Sequence, residues 1–91
     1  MIIIGTDDFK KDLKNLPSEI KRLYQRQKAI FKENWFDPRL HTKRIRELRI
    51  RELPGVYSFR ITRRYRVLFY FRNGEAIFFK IGHRKEIYRK I

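Results

Sequence analysis

Period-two alternation in the second half of the chain constrains its fold more than any other feature. From Val56, "VYSFRIT" sets Tyr57, Phe59 and Ile61 on one side of an extended backbone and Ser58, Arg60 and Thr62 on the other. "YRVLFYF" continues the pattern, with Tyr65, Val67, Phe69 and Phe71 opposed to Arg66, Leu68 and Tyr70. "RNGE" follows, and Asn-Gly suits a two-residue hairpin turn because both central residues must take positive φ. "AIFFKIG" then supplies the third strand of an antiparallel meander. One face of such a sheet is strongly apolar and has to be covered.

The cover comes from the first half of the chain. "IIIG" reads as a short first strand, and Thr6 can cap the helix that follows. Asp7 and Asp8 suit the positive helix start, while Phe9, Leu13 and Leu16 share one face. Pro17 closes this helix and fits the first turn of a second, in which Ile20, Leu23, Tyr24, Ile30 and Phe31 fall at helical spacing. The two join at "NLP" as a helical hairpin, and "WFDP" ends the second. Residues 39–55, "RLHTKRIRELRIRELPG", are expected to be a loop with little regular structure. The expected architecture is a single α+β domain over residues 1–91. It has a short N-terminal strand, a helical hairpin and a three-stranded antiparallel meander. Together the strands form one sheet with helices on one face and the other face partly open.

Charge narrows the partners. The chain has 91 residues with 24 Lys and Arg against 10 Asp and Glu, a net charge of +14. Disordered chains of high charge lack aromatics, whereas this one has eight Phe and five Tyr and is expected to fold. The self-repulsion of so many cations is relieved by a polyanion, by a membrane surface or by an acidic protein. Cysteine is absent, which excludes disulfides and thiol-based catalytic or metal sites. Two His without a clustered ligand pattern give no expectation of a metal, and no cofactor is expected. "VLFYF", the longest apolar run, is too short to span a bilayer, and "MIIIG" is too short for a signal sequence. A cytoplasmic protein without a membrane partner is expected.

The side of the sheet away from the helices carries the candidate chemistry. Alternation puts Arg60 and Arg66 there on neighbouring strands, with Lys80 on the third and Arg84 shortly after it. Arginine on a rigid strand suits phosphate, because its planar fork makes two parallel hydrogen bonds. Tyr70 and Tyr88 offer flat surfaces for bases. A row of cations is equally compatible with an ordinary solvated face. The basic run Arg39, Lys43, Arg44, Arg46, Arg49 and Arg51, with Glu47 and Glu52 as partial counterweights, is expected to contact a polyanion. His83 stands beside Arg84 near the strand end, and a proton-transfer role requires Tyr88 or a phosphate within reach. The face offers no carboxylate pair, nucleophile motif or glycine-rich phosphate loop. The remaining chemistry is metal-free RNA cleavage, in which the 2′-OH of the RNA attacks the adjacent phosphate and arginines stabilise the developing charge.

From Pro54 onward the sequence resembles the RelE/ParE toxin superfamily, and within it the RelE-like ribosome-dependent mRNA interferases. The residues that carry the likeness are "LPGVYSFRIT", "YRVLFYF" and "IGHRKEIY", with "FKKDLKNLPSEIKRLYQRQ" similar to the family's helical hairpin and "FDPRLHTKRIREL" to its connecting segment. The resemblance implies a toxin that cleaves mRNA on the ribosome and is neutralised by an acidic antitoxin that folds on binding. It also implies that Arg66 is a phosphate-stabilising arginine, and that Arg84 and Tyr88 are the arginine and late tyrosine of the family's last motif. Ser58 and Arg60 depart from it, standing where RelE-type toxins often carry lysines. Proton transfer is then expected of His83 or Tyr88, with Arg60, Arg66 and Arg84 on phosphate. The alternatives are a ParE-type toxin that inhibits gyrase, or a non-catalytic module that binds RNA or the ribosome.

Overall fold

Two helices and a sheet form as the residue pattern predicts. The computed structural model describes residues 1–46 and 55–88. Strand β1 (Ile3–Gly5) leads directly into α1 (Asp7–Lys14). The Thr6 hydroxyl accepts the Phe9 N–H at 3.2 Å, and Asp7 and Asp8 occupy the first turn. Helix α1 ends at Lys14 with Asn15 as its C-cap, and helix α2 (Ser18–Glu33) begins after Pro17, whose fixed φ suits a helix start. A single 3₁₀ turn, Pro38–Leu40, is capped by the Asp37 carboxylate, which accepts the Arg39 N–H.

The sheet is built from β1, β2 (Lys43–Arg44), β3 (Tyr57–Arg60), β4 (Tyr65–Arg72) and β5 (Glu75–His83), in the order β1-β5-β4-β3-β2. β3, β4 and β5 form the expected antiparallel meander, and β1 joins its far side parallel to β5. Asn73 and Gly74 both take positive φ, at 52° and 78°, as the tight hairpin requires. Leu68 pairs with Lys80 and Phe69 with Phe78, so Phe79 is an extra residue in β5, a bulge that turns its side chain to the face opposite the helical hairpin.

The side chains sort onto two faces. Against α1 and α2 lie Phe59, Val67, Phe69, Phe78 and Ile81, packed with Phe9, Tyr24, Phe31 and Leu40. Phe31 is the hub, with its ring centroid 5.2 Å from Phe59, 4.9 Å from Phe69 and 5.1 Å from Phe78. The second face carries a smaller cluster of Ile45, Val56, Leu68 and Ile87, with Phe79 and Tyr88 partly buried against it. Ile87 belongs to a third helix, α3 (Arg84–Ile87), that folds back over this face.

Two features differ from the sequence expectation. Residues 47–54 of the 39–55 segment lie outside the described residues, and its described part holds the end of the 3₁₀ turn and β2, because Lys43 and Arg44 pair with Ser58 and Tyr57. The sheet therefore has five strands. Helices are also not confined to one face, since the four residues of α3 are too few to show helical periodicity in the sequence. Phe31→Ala is expected to destabilise the domain by about 3–5 kcal/mol, against about 1 kcal/mol for Thr6→Ala, by denaturant unfolding.

Candidate nucleic-acid interface

Strand register assembles the cations that alternation placed on one side. Arg60 of β3 is directly opposite Arg66 of β4, and Arg66 is opposite Gly82 of β5. The Arg84 N–H donates to the Arg64 carbonyl at 2.7 Å, which holds the start of α3 beside the β3–β4 turn. Gly82 allows the helix to return across the sheet, because a Cβ there would lie 3.0 Å from Ile87 Cγ2. Tyr88 ends α3, half-buried against the second cluster and within electrostatic reach of Arg66.

Arg66 is the unusual member. It is only 6% exposed, beneath the layer that α3 adds to the sheet. Burial pushes its guanidinium below the ordinary arginine value; Tyr88 opposes that shift, and Arg60 and Arg84 deepen it by repulsion. Among the described residues no carboxylate forms a salt bridge with Arg60, Arg66 or Arg84. Arg60 Nε and Ser58 Oγ are both buried without a hydrogen-bond partner among the described residues. Three guanidiniums, none salt-bridged to a carboxylate among the described residues and one with a buried donor unpartnered there, suit an anion with several oxygens.

One residue that the sequence did not single out holds this arrangement. Gln27 of α2 donates from Nε2 to the Arg60 carbonyl at 2.8 Å and to the Arg39 carbonyl at 3.1 Å. It ties the end of β3 and the 3₁₀ turn to the helix layer. No motif marks it, since its partners are backbone atoms far away in sequence.

The other expected residues divide. Lys80 and Lys43 lie in the next row of the same face, Lys80 opposite Leu68 and Lys43 opposite Ser58. Arg44 is opposite Tyr57 and so faces the other way, and Arg46 is exposed just beyond Ile45. Arg39 forms an ion pair with Asp37 at 2.9 Å, and hydrogen bonds from its side chain and backbone N–H hold that carboxyl at about 2. Arg49 and Arg51 lie outside the described residues.

His83 is not gathered into the cluster. It is opposite Tyr65, one step past Gly82, with its ring edge-on to Tyr65 at 5.6 Å on the helix-facing side. Its Nδ1 accepts the Lys85 N–H at 3.2 Å and caps α3. The cavity of about 360 Å³ that it lines runs between the α1–α2 turn and β5, bordered by Asp12, Leu16, Tyr65 and Ile81, and includes none of the three arginines. The single-residue step from Gly82 to His83 reverses the face, so proximity in sequence to Arg84 misleads.

A family model described as the ParE toxin of the type II toxin-antitoxin system, parDE, matches residues 3–88, and the chain belongs to that family. It is therefore a type II toxin of the RelE/ParE superfamily. Solved structures share the fold. A chain of the archaeal RelE–RelB complex from Pyrococcus horikoshii OT3 is 16% identical with a TM-score of 0.70, over 93% of this chain and 96% of that one. A chain of the RelB–RelE antitoxin–toxin complex from Methanococcus jannaschii is 26% identical with a TM-score of 0.68, over 97% and 98%. YafQ from E. coli strain BL21(DE3) is 10% identical with a TM-score of 0.73, over 94% and 96%. Among curated proteins, none matches the chain by sequence.

A buried charge with no salt bridge among the described residues lowers stability, and an apolar side chain of similar length removes that cost. Arg66→Met is expected to raise unfolding stability by about 1–3 kcal/mol in denaturant titration while abolishing anion binding at the site.

Proposed function

We propose that the toxin is a metal-free endoribonuclease that cleaves mRNA on the ribosome, with Arg60, Arg66, Arg84 and Tyr88 as its working residues. The observation that carries this reading is the buried Arg66 guanidinium, flanked by two further arginines and by Tyr88. A folded protein keeps a desolvated, repelled cation where function requires it, and the ligand that relieves the repulsion is an anion.

The chemistry follows from those groups. The 2′-OH of the RNA attacks the adjacent phosphorus, the bond to the 5′ oxygen breaks, and a cyclic phosphate and a 5′-OH result. Arg66 and Arg84 bind the non-bridging oxygens, whose negative charge grows in the transition state. Arg60 fixes the phosphate but remains protonated and is no base. Tyr88 donates its phenolic proton to the departing 5′ oxygen, solvent water accepts the proton lost by the 2′-OH, and the phenolate is reprotonated from solvent; His83, capping α3 from the other face, is left a structural role. Lys43 and Lys80 contact neighbouring phosphates. The named partner of the Pyrococcus and Methanococcus relatives, a RelB antitoxin, supports an antitoxin for this chain as well.

The second reading is a toxin that acts by binding gyrase, favoured by the parDE description of the matching family. The two separate by assay. Purified toxin added to ribosomes programmed with a defined mRNA is expected to cut it. Arg66→Ala and Arg84→Ala are each expected to lower the rate by about 100-fold or more, and Tyr88→Phe by a similar factor. His83→Ala is expected to retain most of the activity. Intact mRNA together with inhibited DNA supercoiling would replace this reading with the second.

A further inference from the structure

The arginines occupy one end of the sheet's second face, and an apolar row crosses it further along, just short of the Arg72–Glu75 pair at the hairpin. Tyr70 pairs with Ile77, and Ile77 pairs with Ile4, so one row of apolar side chains crosses β4, β5 and β1. The bulge brings the Phe79 ring within 5.5 Å of Tyr70 and widens the row. Ile2 lies two residues before Ile4 and extends it along the sheet edge. Ile4 is 41% exposed and Ile2 61% exposed. Edge strands ordinarily carry charge or proline, and this one reads Ile-Ile-Gly after Ile2 in a chain with a net charge of +14. An aliphatic patch on so charged a surface marks an interface.

We propose that this row is the docking surface for an amphipathic, acidic segment of the antitoxin, set beside the arginine cluster rather than on it. The proposal rests on the type II toxin reading and identifies which surface the partner takes. RNA is the poorer occupant. The Arg72 guanidinium already lies 5.4 Å from the centre of the Tyr70 ring, and the aliphatic remainder gives bases little to stack on. A second copy of the chain would bring another +14 to a face flanked by Arg72 and Lys80. An acidic segment satisfies both features, with apolar residues on Ile4, Ile77 and Phe79 and carboxylates within reach of Lys80 and of Arg72, which forms no salt bridge with its strand partner Glu75. Antitoxin grip and phosphate contact then depend on different residues of one face.

The test uses the full-length toxin and, as probe, the purified acidic product of the reading frame adjoining its gene. The Ile4→Glu/Ile77→Glu double variant is expected to bind the probe about 100-fold more weakly than wild type by calorimetry, and Ile2→Glu about 10-fold more weakly. Ile2 is the most exposed of the row, so its variant keeps the fold should the double variant lose it. Melting temperature and mRNA cleavage are expected to be retained in Ile2→Glu. Probe affinity within about threefold of wild type in both variants overturns the proposal. Cleavage lost with probe affinity retained would assign the face to RNA. Wild-type self-association that the variants abolish would assign it to a second copy. Either outcome refutes antitoxin docking here. Wild type that binds the probe but cuts no RNA refutes the nuclease reading alone, and the affinity losses still decide the docking surface.

Discussion

The middle of strand β4, Arg66–Phe69, is covered on both faces, and the site depends on that double burial. Val67 and Phe69 point into the core beneath α2, while Arg66 and Leu68 are closed off by the layer that Ile45, Val56 and Ile87 add to the other side. A strand of this kind ordinarily presents apolar residues in both directions. Here one position is an arginine, opposite another arginine and opposite a glycine. The glycine admits α3, α3 brings Arg84 and Tyr88, and their approach desolvates Arg66. Removing any one of these steps would leave an exposed, ordinary cation.

The same face is divided by register rather than by chain segment. The row through Arg66 is cationic, the row through Leu68 is mixed with Lys43, Ser58 and Lys80, and the row through Tyr70 is apolar. Because each row runs across strands, its character cannot be seen in any stretch of contiguous residues. Phosphate affinity falls with salt whereas apolar burial does not, so the two ends of the face respond differently to ionic strength. Under the proposed nuclease and docking readings, that difference gives a small toxin room to meet a nucleic acid and a protein with one sheet.

Much of this was legible in the residues. Period two placed Arg60 and Arg66 on one side, Asn73-Gly74 located the hairpin, and Thr6 and Pro17 marked the helix boundaries. Pairing that depends on partners distant in sequence was not legible. β2 is only two residues long and exists because β3 offers it an edge. α3 is one turn long, and its direction depends on the absence of a side chain at Gly82. The placement of His83 was hidden for a related reason: it neighbours Arg84 in the chain, but the pleat turns it to the opposite face. Gln27 was invisible because it acts through backbone carbonyls supplied by two other elements.

The nuclease reading requires the RNA to provide its own nucleophile, since the three arginines bind charge and none of them can attack. The direct measurement is cleavage of a ribosome-bound mRNA compared with the same mRNA carrying a single 2′-deoxy nucleotide at the cut position, under identical toxin and salt. The ribonucleotide version should be cut at that position and the deoxy version should remain whole there while still binding. Equal cleavage of the two, or no cleavage of either, would contradict it.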